Sequence, residues 1–409
     1  MPSNTFITPM WVTTDVAMYW KNNIKVVSSF DRQYNDEWLT KGGAKIGDTV
    51  QVRLPQRWTV SDGQGFVQQS ILNQTTPLTI NHQFQVGMGW SSSQSSLYVE
   101  DVQDRYTSKA GIALANKTDV VAGAEVYKSV YYSVGTPGSF ITSNETWTDA
   151  VALLRSFGTP SPLDAIVTPL QQSKLLANNF QLLNPTADVS KYWREGVFAT
   201  NALGADQWGW DINLPTHTTG SFTASTPLVN GGTQTGSTLT TDGWGTYALK
   251  AGDVFTLDGV YGVNPISYEN TGILQQFVLT ADVSGSTTAT LSFSPSIITS
   301  GQLQTVTGSP ADNASISVLG STGSVGGTMT ATASKQNLIF NGAAFAFVVV
   351  DLPTNLPGAT STRKTDREAK VSMRLAEQWN IQTDQLGSRL DLLCGTAPIE
   401  PYFALRAWN

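Results

Sequence analysis

The chain has 409 residues, of which 40% are hydrophobic and 13% charged, with a net charge of −7. That length can bury two or three cores, and the weak acidic balance excludes a basic nucleic-acid surface as its organising feature. Its one cysteine, Cys394, excludes an intrachain disulfide, and the longest apolar run, Ala343 to Val350, is too short to span a bilayer.

The opening stretch, MPSNTFITPMWVTTD, has neither the basic nor the apolar segment of a secretory signal, which predicts a soluble protein of intracellular origin. Residues 1–45 predict short helices or extended pieces at Met10 to Trp20 and Ile24 to Phe30. They carry Trp11, Tyr19, Trp20, Phe30, Tyr34 and Trp38. A terminal arm this apolar docks on something, either its own core or a neighbour.

Two strands follow. DTVQVRLP places Val50, Val52 and Leu54 on one strand. Leu78 to Val86 alternates, with Leu78, Ile80, His82, Phe84 and Val86 on one side and Thr79, Asn81, Gln83 and Gln85 on the other. The connection between them, Pro55 to Thr76, is longer than most inside a compact domain. A two-stranded ribbon is marginal alone, so its apolar face needs a cover.

Leu97 to Val134 predicts one long helix. Apolar or small residues recur at Val99, Val102, Tyr106, Ala110, Ala113, Val120, Ala124, Tyr127, Tyr131 and Val134. Ser95 and Ser96 could cap it, and Gly135 with Pro137 would stop it. It would be roughly 55 Å long. Its stripe, Val102, Tyr106, Val120 and Tyr127, is expected to pack on the strands at the C-terminus.

Residues 140–216 alternate helix and strand: a helix at Thr146 to Ser156, a strand at Leu163 to Val167, and a helix opened by a Thr168–Gln171 capping box with Pro169 at its first position. From His217 the composition changes. Residues 217–334 hold one basic residue, Lys250, and six acids: Asp242, Asp253, Asp258, Glu269, Asp282 and Asp312. Short alternating runs at Asp253 to Leu257, Gln276 to Asp282, Thr288 to Phe293, Ser315 to Leu319 and Thr328 to Ala333 predict a small barrel or sandwich inserted into the host fold. Residues 336–409 then resume the host pattern, with a strand, a turn at Asn341-Gly342, a short apolar helix, and a three-strand meander over Lys370 to Asn380, Ser388 to Gly395 and Pro401 to Trp408.

The residues offer little chemistry. There are two histidines, His82 and His217, so zinc sites and Cys-His dyads lack material. No phosphate loop, dinucleotide fingerprint or nucleophile elbow occurs. Asp206 and Asp211 flank two tryptophans in GADQWGWD, the one stretch that suggests a sugar-cleaving pair. Their odd spacing puts them on opposite faces of a strand, and a packed aromatic corner is the plainer reading. The expectation is a protein with no catalytic residues, no metal and no cofactor.

The order of segments carries a resemblance. An apolar arm, a ribbon opening with GDTVQVRLP, a helix centred on GIALANKTDVVAGAEVYKSV, a domain containing DAIVTPLQQSKLLAN, then GWDINLP, NLIFNGAAFAFVVVDLP and RLDLLCGTAPIEPYFALRAW together resemble the major capsid protein of tailed bacteriophages. That family has the HK97-like α+β fold, and the likeness is to its branch with a β-rich insertion domain. The resemblance implies an N-terminal arm over 1–45 and an E-loop ribbon over 46–90. It implies a peripheral domain with a spine helix (91–139 and 361–409), an axial domain (140–216 and 336–360) and an insertion domain (217–335). It also implies self-assembly into hexamers and pentamers of an icosahedral shell, and partnership with a scaffolding protein and a portal protein. The shell would enclose double-stranded DNA without reading its sequence and have no membrane partner, the virion being assembled in the bacterial cytoplasm. Expected intersubunit contacts are Arg57, Trp58, Asp62 and Phe66 at the ribbon tip and Trp11, Tyr19 and Trp20 on the arm. The tip has no lysine, so the lysine–asparagine cross-link of some family members has no donor there. Two other readings stand beside this one: a glycan-binding or adhesive β-rich protein, and a cellular nanocompartment shell of the same fold.

Overall fold

The structure, a computed structural model, describes residues 9–34, 47–60, 62–91, 108–179, 202–323, 327–366 and 370–409. The described residues are α+β, with more strand than helix. It forms two compact units. The first comprises Met1–Val52, Pro77–Gly123 and Phe345–Ala397; the second comprises Arg53–Thr76, Ala124–Ala344 and Pro398–Asn409.

The first unit is built on a five-stranded sheet. Phe345–Val350, Gln385–Pro398, Val371–Asn380 and Thr360–Asp366 are neighbours in that order, and His82–Ser91 also pairs with Gln385–Pro398. The last ladder is antiparallel and runs from Gln385 opposite Ser91 to Cys394 opposite His82. The strand expected over Leu78 to Val86 is therefore two, Thr75–Thr79 and His82–Ser91. The break lets the chain change partner, from Thr49–Arg53 in the ribbon to the sheet. An unbroken period of two cannot signal such a change. His82 packs as a structural residue, its ring 5.6 Å from Phe84.

The arm contributes a helix, Pro9–Asn23, and a 3-10 turn, Val27–Ser29. Trp20 is fully buried. Its ring lies 6.4 Å from that of Phe347, and its Nε1 donates to Thr118 Oγ1 at 3.4 Å. Thr118 belongs to the long helix, which the structure describes as Ser108–Val126. Gly111 makes the crossing of the two helices possible: a Cβ there would stand 2.8 Å from Tyr19 Cβ and 2.9 Å from the Val16 carbonyl oxygen. Asp119, also buried, accepts from the Lys25 N–H at 2.8 Å and the Val27 N–H at 3.0 Å, which satisfies backbone donors just past the arm helix. The arm thus docks on its own chain. Trp20, expected at a subunit contact, is a core residue, and Tyr19 is half-buried beside Gly111. The side chain of Trp11 lies outside the described residues.

The long helix differs from its expected form. Val102 and Tyr106 lie outside the described residues, as do Ser95 and Ser96. Val120 is 40% exposed rather than part of a packed stripe. The helix stops at Val126 and tightens into a 3-10 turn, Tyr127–Ser129; Tyr132–Val134 is then a strand parallel to Ala404–Trp408. Aromatic and β-branched residues at steps of three and four mimic a helix when the true determinant is a strand partner far along the chain.

The second unit has two sheets. One places Tyr132–Val134, Ala404–Trp408, Ala333–Phe340, Asp164–Val167 and Gln207–Trp210 in that order, with Thr216–Thr218 also on Ala333–Phe340. Ala404–Trp408 thus joins this sheet and not a C-terminal meander. Phe345–Val350, expected as a helix, is a buried strand of the first unit, as its phenylalanine and valine run favours. Helix Asn144–Ser156 begins two residues ahead of its expected start at Thr146, and helix Pro169–Asn179 begins where expected. Ser143 caps the first through the Glu145 N–H, and Thr168 caps the second through the Gln171 N–H. The Gln171 side chain does not close a capping box; it pairs with the N–H and C=O of Ile141.

The other sheet has eight strands between Ser221 and Met329. The chain enters and leaves it through a two-stranded stem, Thr218 opposite Ala333 and Thr216 opposite Lys335. Phe255, Phe277 and Phe293 meet in its core at centroid distances of 5.1–5.7 Å. A long central strand, Gly236–Leu249, went unrecognised in the sequence because glycines and register shifts after Thr241 and Trp244 break the alternation.

A buried polar cluster sits at the stem. His217 Nε2 lies 2.9 Å from Asp253 Oδ1, and its Nδ1 lies 3.3 Å from the Tyr127 hydroxyl. Asp253 also accepts from the N–H groups of Gly220 and Lys250. Arg406, fully buried, donates to the Gly252 carbonyl and lies over the rings of Tyr127 and Trp408. Burial lowers its pKa to about 10, against the opposing pull of Tyr127 and Asp253. Tyr127 is thus buried, but in this cluster rather than in a helix stripe.

Candidate assembly interface

The ribbon opens from a short ladder. Thr49 and Thr79 hydroxyls lie 3.0 Å apart at its base, and the Leu54 N–H donates to the Gln74 carbonyl at 2.9 Å near its end. Between Leu54 and Gln74 the described residues of the tip form no strand. Side chains take the place of strand pairing. Gln69 brackets Thr59, accepting from its N–H at 3.0 Å and donating back to its carbonyl. Gln56 accepts from the Leu72 N–H at 3.0 Å. These bonds give the tip a defined shape without an apolar core.

The tip has a polar side and an apolar side. On the polar side, Gln56 donates to Gln302 at 3.3 Å, and Gln302 donates to Gln69 at 2.9 Å. The Arg57 guanidinium lies over the Tyr402 ring at 5.0 Å. Burial raises the Glu400 carboxyl above its usual range, opposed by a hydrogen bond from Tyr402 and by the charge of Arg57. Burial also pushes the Tyr402 hydroxyl up to about 12, with the Glu400 charge adding to it and Arg57 opposing. On the apolar side, Trp58 is 53% exposed, Val60 98% and Phe66 89%, with Val67 and Ile71 also open. Several large apolar groups exposed on one loop mark a surface that another molecule covers.

Of the tip residues singled out by sequence, Trp58, Phe66 and Asp62 face solvent. Arg57, expected as an ion-pairing group of a subunit contact, is half-buried with its guanidinium over the Tyr402 ring of the same chain and near the Glu400 carboxylate. The polar glutamines on the other side were missed, since an isolated Gln in a loop carries no sequence signal. The GADQWGWD stretch is structural. Asp206 accepts from the Leu163 N–H at 2.7 Å, Asp211 from the Asn213 N–H at 2.9 Å, and Trp208 packs edge-on against Trp147. Among the described residues no three His, Cys, Asp or Glu side chains stand together as metal ligands, and no helix is long and apolar enough to cross a membrane.

Residues 228–404 match the family model described as P22 coat protein, gene protein 5. Among solved structures, the chain is similar to one from Mycobacterium phage Che8, at 13% identity and a TM-score of 0.46 over 94% of this chain and 91% of that one. It is similar to one from the mature capsid of bacteriophage PhiM1, at 10% identity and a TM-score of 0.43 over 100% and 89%. A virus-like particle from Pyrococcus furiosus gives 9% identity and a TM-score of 0.40 over 97% of each chain. No curated protein matches by sequence.

Proposed function

We propose that this chain is the major capsid protein of a tailed bacteriophage, folded on the HK97-like plan with an inserted β domain. It assembles into the shell that encloses the genome. The observation that carries this reading is the coat-protein match, which runs from within the eight-stranded domain through the stem and on into the C-terminal strands. An accidental likeness of one small β domain would not continue across the host fold.

The role is structural. Copies of the chain contact one another around symmetry axes. The ribbon tip presents Trp58, Val60, Phe66, Val67 and Ile71 to the adjacent subunit; large aromatic groups at the centre of a contact carry most of its energy. The scaffolding protein, the portal protein and the packaged double-stranded DNA are the partners this role calls for. The glycan-binding reading gains nothing from Trp147, Trp208 and Trp244, which pack against other aromatic rings, and the coat-protein match favours the shell instead. A cellular nanocompartment shell would use the same fold; nucleic acid inside purified particles separates it from a phage capsid.

Electron microscopy of the purified protein tests the reading. Closed icosahedral shells support it. A protein that stays monomeric at high concentration, with and without scaffold, overturns it.

A further inference from the structure

The loop that meets the tip comes from the inserted domain and is held rigidly. The Tyr268 hydroxyl donates to the Gln302 carbonyl at 2.9 Å, and the Gln304 N–H closes a turn on Gly301 at 3.1 Å. Thr305 ties the loop to the Ser296 carbonyl at 2.6 Å. Tyr268 itself has a φ of +58°, a conformation a bulky side chain adopts only when its surroundings impose it. Gln302 is therefore a fixed amide. It takes a donor from Gln56 and gives one to Gln69, which in turn brackets Thr59. Arg57 lines a cavity of about 40 Å³ together with Tyr402 and Gln304.

From this geometry we infer that Gln302 is a positioning residue: the inserted domain serves as a platform that holds the ribbon tip, before assembly, in the pose that engages the neighbouring subunit. The inference rests on the capsid reading and assigns the insertion a task within it. The sidedness of the tip supports presentation over concealment. The polar groups Gln56, Arg57 and Gln69 are engaged within the unit, while the large apolar groups Trp58, Val60, Phe66, Val67 and Ile71 are exposed. Ordering a loop beforehand removes that entropic cost from the docking step. A platform of amides also suits the task, since each hydrogen bond adds little stability but fixes direction.

Two experiments on the full chain test this. Gln302→Ala should leave the subunit folded by circular dichroism, speed hydrogen exchange over residues 54–74, and raise the concentration needed for shell assembly by about three- to tenfold. In the second, Gln56→Cys with Gln302→Cys is joined by a short bis-maleimide with a cleavable spacer. The native Cys394 is buried, which keeps the reaction specific. The joined subunit should assemble at the wild-type threshold or below it. If it is inert and recovers when the spacer is cut, the tip has to leave the platform to dock, and the inference is overturned. An unchanged threshold in Gln302→Ala also overturns it. If the wild-type chain forms no shells at all, it is the capsid reading that fails.

Discussion

Trp20 on the arm helix and Trp58 on the ribbon tip are the same residue type in segments of similar composition. Trp20 is wholly buried and Trp58 is 53% exposed. The difference lies in what each segment finds within its own unit. The arm finds a receptor shaped for it: Phe347 for the ring, Thr118 for the indole N–H, a glycine notch at Gly111, and Asp119 for the backbone donors that follow. The tip finds receptors only for its polar groups, in Gln302, Tyr402 and Glu400. An apolar segment with a complete intramolecular receptor is core. One whose polar half alone is received is an interface in waiting.

Replacing the two tryptophans should separate them most sharply. Trp20→Ala is expected to cost about 3–5 kcal/mol of subunit stability, the loss typical of a large aromatic removed from a core. Trp58→Ala with Phe66→Ala should change subunit stability by no more than about 0.5 kcal/mol, yet raise the assembly threshold strongly. Urea denaturation of the subunit and light scattering of the assembly reaction read the two effects. Equal destabilisation by both would erase the contrast. Next in size is Asp119→Ala, which leaves the Lys25 and Val27 N–H groups without their buried acceptor and should cost about 2–4 kcal/mol in the same urea experiment. Gly111→Val follows. Its side chain would begin 2.8 Å from Tyr19 Cβ, and the helices would have to part, at about 1–3 kcal/mol. If Gly111→Val is silent, the arm is not seated there in solution.

Much of the host fold was legible because it is local. The helix ending at Ser156, the cap at Thr168 and the strand at Asp164–Val167 are all written in short windows of sequence. What was illegible depends on distant partners. Tyr132–Val134 is a strand because Ala404–Trp408 lies beside it, and Ala404–Trp408 leaves the expected meander for the same reason. The tip was legible in part: Trp58 and Phe66 stand out as large apolar groups in a glycine-bearing loop. Arg57 was read as an ion-pairing group because a charge in a loop suggests one, and nothing in the sequence announces a tyrosine ring more than 300 residues away as its partner. Gln302 was invisible for the same reason.

The smallest expected effect tests the tip's polar side directly. The Tyr402 hydroxyl is pushed from its ordinary value of 10.0 up to about 12, with burial first, the Glu400 charge next, and Arg57 opposing both. A value raised in the folded state means that the proton is held more tightly there than in the unfolded chain. The associated stability is therefore complete below pH 10 and is lost as the pH climbs toward 12. Arg57→Leu removes the opposing charge, so Tyr402 should ionise at a still higher pH and Glu400 should rise as well. The ultraviolet absorbance of phenolate, with Arg57→Leu/Tyr402→Phe as the blank, isolates that step from the other tyrosines. The measurement needs no assembly, so it reports whether the tip rests on its own unit in the free subunit. A Tyr402 step that does not move when Arg57 is removed would mean that the guanidinium is elsewhere in solution. The distinction between a received polar side and an open apolar side would then collapse.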